Sequence, residues 1–276
     1  MEDYNIKKQL ILCVLVALLT SLNAHARAGC IEGDCADGKG EYTWANGSIY
    51  EGDWLDDKMT GKGKLTWPNG EVYEGDWLDD EMTGKGKYTW ADGEVYEGDF
   101  VDSEVTGKGK KTWANGDVYE GDFVDHKMSG KGKYTWANGD VYEGAFVDHK
   151  MAGKGKHTWA DGEVYEGDFV DVKFTGKGKY TWANGDVYEG DWLYHKMAGK
   201  GKRTSASGKV EEGYWVDGEL VETIAERERH DKIFSACVLD KSSNLDLQVS
   251  DVKRAVKKTC GLIAKDPSWL EILKYE

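Results

Sequence analysis

Proline is nearly absent from this chain, with 2 residues in 276, while glycine is abundant at 36. The glycines recur at fixed positions, which excludes a low-complexity linker. A basic excess is also missing, since the formal net charge is −15. From Glu222 to Glu276 ten acidic residues balance ten basic ones, and Glu2 and Asp3 cancel Lys7 and Lys8. The whole −15 therefore falls between Arg27 and Val221. Such a segment repels phosphate backbones, so nucleic acid is excluded as a partner, and direct binding of anionic lipid is disfavoured. No nucleophile–base–orienter set or phosphate loop is present. The G-x-G pairs lack the third glycine and following helix of a dinucleotide site. Catalytic residues and cofactors are accordingly expected to be none.

No apolar run is long enough to cross a bilayer as a helix. The longest, Leu10 to Leu19, reaches roughly 15 Å against a hydrocarbon core of ~30 Å. It follows Lys7 and Lys8 and precedes Ala24-His25-Ala26, the three-part pattern of a secretory signal. Residues 1–26 are therefore expected to be a signal peptide. The chain would then be periplasmic or extracellular after cleavage near Ala26, with a retained N-terminal membrane anchor as the alternative. Cleavage removes Cys13 and leaves Cys30, Cys35, Cys237 and Cys260. An even number in an exported chain favours disulfides.

What the chain does have is a period of 23. Trp44, Trp67, Trp90, Trp113, Trp136, Trp159 and Trp182 are each 23 residues apart, and so are the G-x-G pairs from Gly38 to Gly199. A fixed period of this size marks a stacked array whose units contact only their neighbours. Many equivalent surfaces are a poor setting for one set of catalytic groups. An array of about sixteen strands would span roughly 75 Å at ~4.8 Å per strand. The cysteines before and after it cannot meet across that distance. The expected pairs are Cys30–Cys35 and Cys237–Cys260, against four free thiols.

One unit, Gly61 to Thr83, shows how the repeat folds. Two runs, Lys62–Trp67 and Glu71–Leu78, flank Pro68-Asn69-Gly70. A two-residue turn would pair Leu65 with Glu74 and mix apolar and charged residues on each face. A three-residue loop pairs Leu65 with Tyr73 and Lys64 with Glu74. It puts Leu65, Trp67, Tyr73 and Trp77 on one face with Gly63 and Gly75. Lys62, Lys64, Val72, Glu74 and Asp76 take the other. Without side chains, Gly63 and Gly75 let neighbouring rings lie across the backbone. The Lys64/Glu74 ion pair recurs as Lys87/Glu97, Lys110/Glu120, Lys133/Glu143, Lys156/Glu166 and Lys179/Glu189.

This unit resembles the MORN repeat, the membrane occupation and recognition nexus motif. Its G-x-x-Y-x-G-x-[WF] core reads here as Gly70-Glu71-Val72-Tyr73-Glu74-Gly75-Asp76-Trp77, and again from Gly116 to Phe123. The resemblance covers Gly38 to about Val221. It implies an all-β repeat array: an elongated, twisted, single-layer antiparallel sheet of about eight hairpins. It also implies a scaffold or interaction role without a reaction.

The domains expected are a cap over 27–37, eight repeats over 38–221 and a small α-helical segment over 222–276. In the last repeat Ser205 replaces the turn-flanking Trp and Glu211 replaces Tyr, as suits a polar terminal cap. At the other end Ile31-Glu32-Gly33-Asp34-Cys35 aligns with Tyr-Glu-Gly-Asp-Trp. Five extended residues would part the two sulfurs by roughly 16 Å. The segment is thus either a strand or a disulfide loop, and the loop is the favoured reading. Towards the C-terminus, Ile224–Asp240 and Ser250–Lys265 read as helices, and Asp266-Pro267 starts a shorter one.

Metal ligation is expected nowhere. His126, His149 and His195 share one position in their units, but two strand spacings, roughly 10 Å, keep them apart. The Asp/Glu-rich loops lack an ordered Ca²⁺ coordination pattern.

The aromatic face is the candidate site: Trp67, Tyr73, Trp77, Trp90, Tyr96, Phe100, Trp113, Tyr119, Phe123, Trp136, Tyr142 and Phe146. These rings either bury one another or form an apolar groove for a partner, because large exposed apolar patches are rarely idle. The function expected is a non-enzymatic exported scaffold that binds another protein or itself. The alternatives are a module that stacks its rings on a glycan or envelope component, and peripheral membrane association.

Overall fold

A computed structural model describes residues 28–232 of the chain. The predicted signal peptide, the Cys237–Cys260 pair and the helices beyond residue 232 lie outside the described residues. The chain divides into two compact units, one ending at Ala160 and the other starting at Asp161.

Among the described residues the first unit is built of strands: β1 (Gly29–Gly33), β2 (Lys39–Thr43), β3 (Ile49–Leu55), β4 (Lys58–Thr66), β5 (Val72–Leu78), β6 (Glu81–Thr89), β7 (Val95–Val101), β8 (Glu104–Thr112), β9 (Val118–Val124), β10 (Lys127–Thr135), β11 (Val141–Val147) and β12 (Lys150–Thr158). Each pairs antiparallel with the strand before it. The second unit repeats the pattern with β13 (Val164–Val170), β14 (Lys173–Thr181), β15 (Val187–Leu193), β16 (Lys196–Thr204), β17 (Val210–Val216) and β18 (Glu219–Thr223). Among the described residues the fold is thus an all-β array of antiparallel hairpins followed by a helical segment over 224–232.

The register within each hairpin is the expected one. Leu65 pairs with Tyr73, Lys64 with Glu74 and Gly63 with Gly75. The loop closes with the Trp67 N–H donating to the Glu71 carbonyl at 2.9 Å and the Gly70 N–H to the Trp67 carbonyl at 3.0 Å. Gly70 has φ +91°, the left-handed turn position that glycine takes without steric cost.

The connection between hairpins follows a different rule. Leu78 pairs with Glu81, leaving the two-residue turn Asp79-Asp80, both with positive φ. That is the primed turn whose twist matches the strands it joins. Five residues later the ladder slips. Gly75 pairs with Gly86 but Asp76 with Thr83, so Gly84 and Lys85 bulge out of β6. Each G-x-G therefore has two tasks: its first glycine makes the bulge, and its second makes room for a ring.

Two expectations at the ends are corrected. The segment around Cys30 is a strand and a disulfide together. β1 pairs with β2, yet a bulge between Cys30 and Glu32 and the turn after Gly33 bring the Cys30 and Cys35 Cα atoms to 5.9 Å. The 16 Å estimate assumed an unbroken extended strand, and the bulge removes that premise. At the other end Glu222 and Thr223 belong to β18, and the helix starts at residue 224. Thr223 Oγ1 accepts from the Glu226 N–H at 3.2 Å, while Glu226 Oε2 accepts from the Thr223 N–H at 2.8 Å. This reciprocal capping box fixes the helix start.

Candidate interaction face

The aromatic face consists of two parallel rows. The inner row is sealed. Tyr50, Tyr73, Tyr96, Tyr119 and Tyr142 of the first unit are all 0 % exposed, with Trp77, Phe100, Phe123 and Phe146 buried beside them. Tyr50, Tyr73, Tyr96 and Tyr119 each meet two rings edge-on, and Tyr142 meets Phe146 the same way. Tyr96 lies 5.2 Å from Phe100 and 5.1 Å from Phe123, and Tyr119 lies 5.1 Å from Phe123 and 5.0 Å from Phe146. Edge-to-face contacts of this kind add to simple area burial.

The tyrosines reach this depth because glycine lies beneath them. A Cβ at Gly109 would stand 2.4 Å from the Tyr96 ring, and one at Gly98 would stand 2.4 Å from its hydroxyl oxygen. The hydroxyl then faces backbone carbonyls of both strands beside the bulge. Tyr96 reaches the carbonyls of Asp99 and Thr106 at 3.1 and 3.3 Å. Trp77 donates likewise from Nε1 to the Gly63 carbonyl at 3.1 Å. Burial pushes the hydroxyl pKa of Tyr119 up to about 12, with the Asp122 carboxylate adding to the effect. Burial alone does the same at Tyr142.

Eight of the twelve residues expected to meet a partner thus lie in the sealed row: Tyr73, Trp77, Tyr96, Phe100, Tyr119, Phe123, Tyr142 and Phe146. They cannot form a docking surface in the folded chain. These rings share one face, as the register requires, but close packing over glycine hides them.

The other four, Trp67, Trp90, Trp113 and Trp136, are half-buried. They belong to the outer row, together with a variable residue two positions before each tryptophan. The centroids of Trp67 and Tyr88 are 5.4 Å apart, and those of Tyr88 and Trp90 are 4.7 Å apart. Lys111 bridges the next gap, its Nζ 4.5 Å from the Trp90 ring and 5.4 Å from that of Trp113. Trp113, Tyr134, Trp136, His157 and Trp159 continue the row at 5.2, 4.6, 5.1 and 4.2 Å. In the second unit Tyr180 and Arg203 flank Trp182 in the same way.

The position has no fixed residue type, so the 23-residue period does not mark it. Its partner is the acidic residue after each turn, seventeen places earlier. Glu71 accepts from the Tyr88 hydroxyl at 2.7 Å, Glu94 pairs with Lys111 at 2.8 Å, and Asp117 accepts from the Tyr134 hydroxyl at 2.9 Å. Asp186 pairs with Arg203 at 2.9 Å. Where the acid is aspartate it also ties one turn to the next, since Asp117 Oδ1 accepts from the Ala137 N–H at 2.8 Å. That bond, then those from Tyr134 and Asn115, holds the Asp117 carboxyl below the usual range.

The opposite face is charged and concave. A groove of about 1430 Å³ in the first unit is lined by lysines, glutamates and bare glycine backbone. The expected pairs Lys87/Glu97, Lys110/Glu120 and Lys133/Glu143 form at 3.1–3.2 Å. Shorter ones, missed from the sequence, join Lys62 to Asp76 at 2.6 Å and Lys108 to Asp122 at 2.6 Å. The same aspartates accept from the bulge backbone, Asp122 from the Lys131 N–H at 3.0 Å. Lys108 and then the Lys131 N–H lower the Asp122 pKa.

The histidines make local contacts. The His126 ring pairs with Glu104, and His149 Nδ1 accepts from the Met128 N–H at 3.3 Å. Among the described residues no group of three or more His, Cys, Asp or Glu side chains could hold a metal ion. No helix among them is long and apolar enough to cross a membrane.

The family model for the MORN repeat matches eight consecutive segments: 36–49, 50–72, 73–95, 96–118, 119–141, 142–164, 165–187 and 188–210. The chain belongs to the MORN repeat family. MORN repeats are generally protein-binding or membrane-associated scaffolds, and the family is typically non-enzymatic.

No curated protein matches the chain. Among solved structures, the SAS-4 TCP domain of Drosophila melanogaster, in complex with a proline-rich motif of Ana2, is 14% identical with a TM-score of 0.36. The match covers 56% of this chain and 85% of that one. The TCP10 domain of Danio rerio CPAP is 13% identical with a TM-score of 0.25, covering 64% and 90%. Scores this low support no inference about this MORN chain.

Proposed function

We propose that this MORN chain is an exported, non-catalytic scaffold that holds another protein along its outer aromatic row. One observation carries the reading. A line of half-buried rings from Trp67 to Trp159, joined through Lys111 and the buried His157, lies beside a sealed inner row that already stabilises the sheet. Rings that structure alone requires would be buried as Tyr119 is. Large apolar surface left accessible in a repeating line is an interaction surface by default.

Export rests on separate support. β1 starts three residues past Ala26, so cleavage there leaves the sheet whole. The Cys30–Cys35 bond fits an oxidising compartment.

The test is capture of a partner from the native compartment by the mature chain, repeated with Trp67, Trp90 and Trp113 changed together to alanine. Circular dichroism must show that the variant is folded. Loss of capture supports the reading. Undiminished capture by that variant, with loss on charge reversal at Glu97, Glu120 and Glu143, would move the site to the groove.

A further inference from the structure

The outer row has a period and a charge, and together they specify a partner. Successive tryptophans sit two strands apart, roughly 10 Å at ~4.8 Å per strand. A polyproline II helix advances ~3.1 Å per residue with three residues per turn, so it shows the same face every ~9.3 Å. An α-helix repeats its face every ~5.4 Å, and a strand every ~6.6 Å.

The ring planes fit the same occupant. Tyr88 and Trp90 are tilted 45° to each other, and Tyr134 and Trp136 are tilted 48°. Proline-rich segments dock on aromatic side chains of this kind. The rim sets the charge. Glu71, Glu94 and Asp117 line the row at successive turns, on repeats that carry most of the chain's net charge of −15.

We propose that the outer row binds a basic, proline-rich segment of another protein in the polyproline II conformation, one turn per repeat. This rests on the scaffold reading and names its partner. Each tryptophan would take one proline, and basic residues between the prolines would face the acidic rim. Lys111 is the exception, a cation inserted between Trp90 and Trp113. It neutralises Glu94 and repels a basic ligand at that point.

The probes are synthetic peptides with proline at every third position and lysine or arginine between. A control of equal composition has its prolines moved off the three-residue period. Binding is read from tryptophan fluorescence and from the indole N–H resonances of Trp67, Trp90, Trp113 and Trp136. The periodic peptide should shift those resonances and leave the buried Trp54 and Trp77 unmoved. Affinity should rise about threefold or more with each added turn, since linked weak contacts compound. The control should bind at least tenfold more weakly. Lys111→Gln should tighten binding severalfold, a gain that misfolding cannot mimic. The folded double variant Trp90→Ala/Trp136→Ala should lose most of the affinity.

Equal binding of both peptides, or binding of neither, overturns the proposal. So does a soluble polysaccharide that shifts the same indoles more tightly than the periodic peptide. In those cases the scaffold reading still stands if the triple tryptophan variant loses its captured partner. It falls separately if that variant captures the partner as well as the unchanged chain does.

Discussion

The ring of Tyr119 occupies the space that a side chain at Gly132 would need. A Cβ there would stand 2.4 Å from the ring, and the Tyr119 hydroxyl donates to the Ser129 carbonyl, three residues before that glycine, at 3.2 Å. Tyrosine and glycine are one device, split between β9 and β10. Gly132→Ala should therefore destabilise the chain by about 1–3 kcal/mol through overpacking. In a Tyr119→Ala background the same change should cost close to nothing, because the ring it strikes is gone. Urea unfolding of the four members of this cycle measures the coupling. An equal cost of Gly132→Ala in both backgrounds would show that the glycine serves the backbone and not the ring.

The inner tyrosines also set how the chain responds to alkali. Burial raises the hydroxyl pKa of Tyr119 and Tyr142 from 10.0 to about 12. Burial raises Tyr50, Tyr73, Tyr96, Tyr165 and Tyr188 as well. A folded pKa above the unfolded one means that the contribution to stability is full below pH 10. It is lost as pH rises from 10 through the folded values. Thermal stability should thus hold up to about pH 10 and fall steeply above it, with these tyrosines ionising only as the sheet unfolds. Tyrosinate absorbance and circular dichroism, followed in one alkaline titration, check this. A tyrosinate signal completed near pH 10 with the sheet intact would contradict it.

Much of the hairpin was legible in the sequence, for a definite reason. Side chains alternate between faces with period two, so only one register separates Leu65 and Tyr73 from Lys64 and Glu74. Pro68-Asn69-Gly70 supplies the turn that register needs. The link between hairpins was not legible. Asp79-Asp80 does not look like a primed turn, and Val172, with φ +66°, looks least like one. The neighbouring hairpin holds these turns, through bonds such as Asp80 N–H to the Met59 carbonyl at 3.1 Å. The division of the candidate site into sealed and accessible rings was hidden for a related reason. Tyr119 and Trp113 share a face, and only the glycine beneath Tyr119 decides which of them sinks.

Asp122 separates two effects that the sequence joins. Its Oδ1 pairs with Lys108 at 2.6 Å, and its Oδ2 accepts from the Lys131 N–H in the bulge at 3.0 Å. Asp122→Asn keeps an oxygen for the bulge and gives up only an exposed ion pair, so it should cost about 0–1 kcal/mol. Asp122→Ala strips the bulge of its acceptor and should cost about 1–2 kcal/mol. The Asp122 pKa is lowered in the fold, so its contribution is present above the unfolded value of 3.8 and fades as pH falls below it. The gap between alanine and wild type should therefore narrow in acid. Equal stability of the asparagine and alanine variants would assign the whole effect to the lysine.

The Cys30–Cys35 bond should act locally. It closes a short loop, and loops of this length contribute roughly 2 kcal/mol by constraining the unfolded chain. In a repeat array each strand gains stability from its neighbours, so a loss at β1 has one neighbour through which to spread. The Cys35 sulfur lies over Gly40, where a Cβ would stand 2.7 Å from it, much as Tyr50 lies over Gly52 and Gly63. Cysteine thus takes the place of an aromatic ring at the first edge of the sheet. Reduction should expose Gly40 and release β1 while leaving β4 to β12 unchanged. Hydrogen exchange should quicken across Gly29–Thr43 and nowhere beyond β3. The freed edge of β2 then offers unpaired backbone groups, which invite a second chain. Sedimentation of the reduced protein should show concentration-dependent association that the oxidised protein lacks. If exchange quickens through the central hairpins instead, the disulfide supports the whole array and the edge-cap account is wrong.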